Sequence, residues 1–145
     1  MSKIITISVV SGGFDPIHSG HIAYLKAAKE LGDILIVALN SDEWLIKKKG
    51  KYFMPFFERK IIIENFSMVS EVLDFEDDAI GSASLALIKI RNKYPNDEII
   101  FCNGGDRNDT NSPEKMVKGI QHLFGVGGED KKNSSSWILK KYEES

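Results

Sequence analysis

Three runs of apolar, mostly β-branched residues constrain this chain more than any other feature: Ile4 to Val10, Ile34 to Leu39 and Ile99 to Cys102. None alternates cleanly between apolar and polar residues, so each reads as a strand buried on both faces, as in a parallel sheet. Shorter strand candidates lie at Glu71 to Phe75 and Leu123 to Val126. Helical patterns separate them. Ile22, Leu25, Ala28 and Leu31 share a drifting stripe; Phe57 with Ile61 and Ile62 with Phe66 repeat at four-residue spacing in a helix over 57–68; a third helix runs from Ala83 to Arg91, ahead of the loop "NKYPND". Strands alternating with helices require right-handed crossovers, so the expected architecture is a Rossmann-like, doubly wound α/β sheet of about five parallel strands with helices on both faces.

At 145 residues, 42% hydrophobic and 28% charged, the chain fits a single domain over 1–145. A net charge of −2 offers no overall basic field to hold nucleic acid, so an anion site has to come from local clustering. The lone Cys102 excludes an intramolecular disulfide framework and a cysteine zinc cluster, which favours a reducing, cytoplasmic setting. No apolar stretch approaches the ~18 residues that span a bilayer, and the N-terminus lacks a cleavage-site pattern, so membrane insertion is not expected.

The first strand runs into "SGGFDPIHSGH", residues 11–21. In an open parallel sheet the loop after the first strand lies beyond the carboxyl ends of the strands, where ligands bind. Gly12 and Gly13 allow close backbone approach, and the next helix start offers free N–H groups to a phosphate. The dinucleotide pattern G-x-G-x-x-G and the P-loop pattern are both absent, which disfavours nicotinamide redox chemistry. His18 and His21, three apart at a helix start, face one side, with Gly20 leaving access between them. Two histidines without a third ligand nearby make a weak zinc signal, whereas as donors they can neutralise charge growing on a phosphate.

The segment from Gly12 to Asp15, followed by His18-Ser19-Gly20-His21, resembles the signature of the cytidylyltransferase-like nucleotidyltransferases, and in particular the glycerol-3-phosphate cytidylyltransferase and heptose-1-phosphate adenylyltransferase branches. The resemblance extends through "LGDILIVALNSDEWLIKKKG", "PFFERKIIIENFSMVSEV", "NGGDR" and "NSSSWIL", almost the whole chain. It implies transfer of a nucleoside monophosphate from CTP to a phosphorylated small-molecule acceptor with release of pyrophosphate, magnesium accompanying the triphosphate, and it leaves room for a homodimer. ATP with a sugar phosphate is the alternative; a noncatalytic nucleotide-binding module is a third reading, against which the intact motifs stand. Such a transfer needs in-line positioning and charge stabilisation and no hydrolase-like triad, because the attacking phosphate oxygen is already ionised.

The resemblance also assigns roles. His18 and His21 contact the α-phosphate and leaving group, while Gly13 and Phe14 line the nucleotide; Phe14 reads equally as core. Asp15 reads either as an orienting group for substrate or magnesium, or as a turn starter. Of the run Lys47 to Lys51, alignment with the glycerol-phosphate branch points to Lys48 and with the heptose-phosphate branch to Lys49, on a loop swinging toward the sheet end. A charge run of this kind also reads as a solvated face. Arg59 falls off the Phe57–Ile61 stripe and can reach phosphate as a fork donor, or pair at the surface with Glu58 or Glu64. Gly104, Gly105 and Asp106 fall where the family holds the nucleoside, though a turn uses the same residues. Ser134, Ser135 and Ser136 can cap the last helix and bind the β- and γ-phosphates. The arginine-threonine pair usual ahead of that motif in the glycerol-phosphate branch is missing, with Lys131 or Lys132 as substitutes.

Overall fold

The computed structural model describes residues 3–104, 112–127 and 135–144. Along the chain run β1 (Thr6–Gly12), α1 (Ser19–Glu30), β2 (Ile34–Leu39), α2 (Asp42–Lys49), α3 (Phe56–Glu64), β3 (Glu71–Leu73), α4 (Ser84–Lys93), β4 (Glu98–Cys102), a 3₁₀ turn (Pro113–Met116), β5 (Gln121–Leu123) and α5 (Ser135–Glu144). The strands form one parallel sheet in the order β3-β2-β1-β4-β5. The chain therefore steps outward from β1 to β3 and returns to the other side of β1. This reversal places the topological switch point between β1 and β4, beside the loop that carries the two histidines.

Burial on both faces explains why the strand runs do not alternate. Ile7, Val9, Ile36, Ala38, Ile99 and Phe101 pack under Ala86, Leu87 and Ile90 of α4. On the opposite face Val10, Leu35, Val37, Leu39, Ile100 and Cys102 meet Leu25 and Ala28 of α1 and Ile63 of α3. Cys102 is buried, which pushes its thiol pKa up to about 11.

Three sequence expectations are corrected. The helix expected over 57–68 ends at Glu64, where the Asn65 side-chain amide donates to the Ile61 carbonyl and the chain turns. Its apolar stripe is also reversed: Phe57 and Ile61 are 68% and 39% exposed, while Arg59 is 1% exposed and lies inward with Ile63. The lysine run does not ride on a loop. Lys47, Lys48 and Lys49 form the last turn of α2, which is capped by the Ser41 hydroxyl at its start and by Gly50 in the left-handed region, φ 87°, at its end. Acidic Asp42 and Glu43 in the first turn and lysines in the last complement the helix dipole.

Candidate active site

Phe14 adopts φ 51°, so its ring folds back over Gly12, where a Cβ would sit 3.1 Å from the ring carbons. A Cβ on Gly13 would lie 2.7 Å from the Leu45 side chain, so helix α2 packs directly on the loop backbone. Both glycines thus have a packing requirement of their own.

Asp15 is buried, and its two carboxylate oxygens accept from the backbone amides of Met54 and Phe53, each at 2.6 Å. Arg59 clamps the same region from the other side. Its Nε donates to the Met54 carbonyl (2.9 Å), Nη1 to the carbonyls of Gly13 (2.9 Å) and Asn40 (2.8 Å), and Nη2 to the Asp42 carboxylate (2.7 Å). Neither sequence reading of Arg59 describes this placement: it is a buried cross-link among three segments, not an open fork, and its ionic partner is Asp42, not Glu58 or Glu64. Together Asp15 and Arg59 fix the first loop to the segment entering α3.

His18 is the N-cap of α1. Its Nδ1 accepts from the Gly20 amide at 3.1 Å, and Nδ1 of His21 accepts from the His18 amide at 3.2 Å. This is a reciprocal capping box built from imidazoles in place of a hydroxyl and a carboxylate. An Nδ1 that accepts carries no proton, so in each neutral ring the hydrogen resides on Nε2, a donor on the ring edge away from the amide it caps. The rings stack at 3.8 Å between centroids and 25° between planes, with Phe14 edge-on to His21 at 4.8 Å. Burial, His18 and Lys49 lower the His21 pKa to about 3, so this ring is neutral at physiological pH.

The structure separates the lysines between which the sequence could not choose. Lys49 turns to the first loop and donates to the Asp15 carbonyl at 3.2 Å, while the Lys48 ammonium lies 4.6 Å from the centroid of the Trp44 ring. Across the switch point, the end of β4 is held to α1 by the Tyr24 hydroxyl, which donates to the Cys102 carbonyl, and Gly104 abuts the same ring. Gly105, Asp106 and Ser134 lie outside the described residues, as do Lys131 and Lys132; Ser135 and Ser136 open α5, where a helix was expected. Sequence reasoning missed Tyr24, Trp44 and Asp42, none of which belongs to the glycine-histidine motif; the N-cap pattern of Ser41 followed by acidic residues was the available signal for the last two.

A doubly wound sheet whose switch point presents imidazole donors at a helix start has the build of a phosphate-binding α/β protein. The chain belongs to the cytidylyltransferase-like family, whose model matches residues 9–142. It is 42% identical over 73 residues to the glycerol-3-phosphate cytidylyltransferase of Bacillus subtilis, a match covering 50% of this chain and 54% of that protein. The bifunctional protein HldE of Photorhabdus laumondii is 32% identical over 127 residues, covering 86% of this chain and 24% of the relative. The chain thus spans about half the length of the first relative and about a quarter of the second. The fold is also that of a lipopolysaccharide core biosynthesis protein from Thermoplasma volcanium, with a TM-score of 0.64 at 22% identity over 88% of this chain and 100% of the other. Among the described residues, no helix is long and apolar enough to cross a membrane.

Proposed function

We propose that this chain is a nucleotidyltransferase that moves a nucleoside monophosphate from CTP to a phosphorylated small-molecule acceptor. An ionised oxygen of the acceptor phosphate bonds to the α-phosphorus, the bond from that phosphorus to the β-phosphate oxygen breaks, and pyrophosphate leaves with the electron pair. The observation that carries this reading is the imidazole capping box. Accepting at both Nδ1 atoms puts the hydrogen of each neutral ring on Nε2, at a helix N-terminus beside the switch point. Preorganised donors of this kind act most strongly on charge that grows in the transition state. Lys49, adjacent to the pair, adds a fixed positive charge.

Magnesium is proposed to arrive on the triphosphate oxygens. Asp15, the carboxylate of the first loop, gives both its oxygens to backbone amides, and among the described residues no group of three metal-ligating side chains gathers. Such an ion neutralises phosphate charge when bound. Positioning falls to the residues of this chain: the capping box aims the imidazoles, and the Asp15 and Arg59 contacts hold the loop rigid.

CTP as donor is supported by the likeness to the Bacillus subtilis cytidylyltransferase. ATP with a sugar phosphate is the second reading, supported by the likeness to the HldE protein, which runs over 86% of the chain. Thermal unfolding with matched CTP and ATP in magnesium separates the two, since a ligand of the folded state raises Tm according to its concentration over Kd. The first reading expects the larger rise with CTP; a clearly larger rise with ATP replaces it with the second.

A further inference from the structure

The crevice at the switch point has unequal walls. β1 pairs with β2 as far as Gly12 opposite Leu39, but its register with β4 ends three residues earlier, at Val9 opposite Phe101. The gap therefore opens between the last residues of β1 and Cys102. On the β2 side the first loop is packed in: Leu45 meets Gly13, Lys49 donates to the Asp15 carbonyl and Arg59 to that of Gly13. On the β4 side the backbone carries glycines, with Gly104 partly exposed and Gly127 exposed. The bulk of a ligand whose phosphate sits at the start of α1 thus fits over the end of β4.

Tyr24 backs that wall. It lies three residues along α1 from His21, on the same side of the helix. Its hydroxyl donates to the carbonyl of Cys102, the last residue of β4. A Cβ on Gly104 would sit 3.1 Å from the Tyr24 ring, and one on Gly127, where φ is 84°, would sit 3.1 Å from the Tyr24 Cα. The chain beyond Cys102 is pinned from the other flank. The Asn103 amide donates to the Leu123 carbonyl at 2.8 Å, and its carbonyl accepts from the Val126 amide at 3.0 Å. Three segments therefore converge on one tyrosine: α1, the end of β4 and the turn after β5. Packing against the core needs the ring, whereas the hydroxyl ties α1 to the strand end.

We propose that Tyr24 is a positioning residue for the nucleoside end of the triphosphate: its hydroxyl holds the end of β4 at a fixed distance from the imidazole pair on the same helix. Base and ribose then meet a preformed wall while the phosphates meet His18 and His21. The inference rests on the nucleotidyl transfer proposed above for the identity of the ligand. Tyr24 acts through the Cys102 carbonyl and not by contact with phosphate. Without the hydroxyl the strand still forms, but its end has to be ordered by the ligand, and that ordering is subtracted from affinity. Inorganic pyrophosphate has no nucleoside, so the cost does not reach it. This difference separates a positioning role from general support of the fold.

The test is calorimetric titration of wild type, Tyr24→Phe and Thr6→Val with CTP, ATP and inorganic pyrophosphate in magnesium, at a temperature where all three proteins are folded. Thr6→Val is the control, because the Thr6 hydroxyl donates to the Glu98 carboxylate at 3.1 Å, at the opposite end of the same strand. Wild type should bind pyrophosphate and at least one triphosphate. Tyr24→Phe should weaken the tighter triphosphate about three- to tenfold, the worth of one hydrogen bond, and leave pyrophosphate unchanged. Thr6→Val should change neither. Triphosphate affinity in Tyr24→Phe equal to wild type, a loss shared equally by pyrophosphate, the same loss in Thr6→Val, or no binding of either ligand class to wild type at millimolar concentration overturns the inference. Tyr24-dependent triphosphate binding without pyrophosphate release in the presence of any acceptor defeats the transfer reaction alone. Pyrophosphate release by wild type, with Tyr24→Phe binding the triphosphate as wild type does, defeats the positioning role alone.

Discussion

The smallest unit that matters here is the pair His18 and His21, which does two tasks at once: it terminates the backbone of α1 and it fixes which ring nitrogen holds the proton. Burial first, then the charges of His18 and Lys49, disfavours the imidazolium of His21 and lowers its pKa to about 3; protonating Nδ1 would also break the bond from the His18 amide. The unfolded chain takes up that proton near 6.5 and the folded chain near 3, so the contribution to stability is complete above about pH 6.5 and declines as pH falls toward 3. Urea unfolding across this window should show wild type losing stability faster than His21→Asn, by at most about 1.4 kcal/mol per pH unit. Parallel pH profiles would mean that His21 is not held neutral by the fold. Arg59 is the second residue with a defined burden. Arg59→Met leaves the Asp42 carboxylate and three carbonyls without their donor and should cost about 3–5 kcal/mol in the same measurement. A loss under ~1 kcal/mol would match an exposed pair instead. The histidines were legible because their i, i+3 spacing at a strand-to-helix junction is itself the signal. Arg59 was not, since its acceptors come from Gly13, Asn40, Asp42 and Met54, and only the folded chain assembles them.

At the scale of elements, α2 shows what hydrophobic periodicity leaves out. Eight residues with Leu45 as their buried member carry too little apolar pattern to announce a helix, and three lysines read as a loop. The helix is specified at its ends instead, by the Ser41 cap, the charges that oppose the dipole, and Gly50. Ser41→Ala and Gly50→Ala should each cost about 1 kcal/mol. The two costs differ in origin: a Cβ on Gly50 meets nothing within 4 Å, so its penalty is backbone strain alone, whereas Ser41 also holds Asp77. Urea midpoints of the two variants measure both, and a neutral Gly50→Ala would show that the left-handed C-cap is dispensable. In α3 the pattern misled for the opposite reason. Phe57 and Ile61 looked like a core stripe, but the face that meets the sheet carries Ile63 and the buried arginine.

For the whole molecule, the long central strands β1 and β2 were legible to within two residues, because burial on both faces favours apolar residues at most positions, with Ser8 a buried polar exception in β1. The edge strands β3 and β5, three residues each, are too short for any period, and β5 lies two residues ahead of where the apolar run suggested. The strand order that sets the switch point follows from crossovers that the sequence implies only as a class. That order brings the ends of β1 and β4 together and gives the imidazole pair a place to act. Under the proposed function, these two imidazoles stabilise charge on a transferring nucleotide. Steady-state pyrophosphate release with CTP or ATP, magnesium and a panel of phosphorylated acceptors, run on wild type, His18→Ala and His21→Ala, tests it most directly. Wild type should release pyrophosphate, and kcat should fall roughly 10²-fold or more in each variant, with triphosphate affinity much less affected. Turnover in both variants equal to wild type, or no pyrophosphate from any triphosphate and acceptor pair, would contradict it.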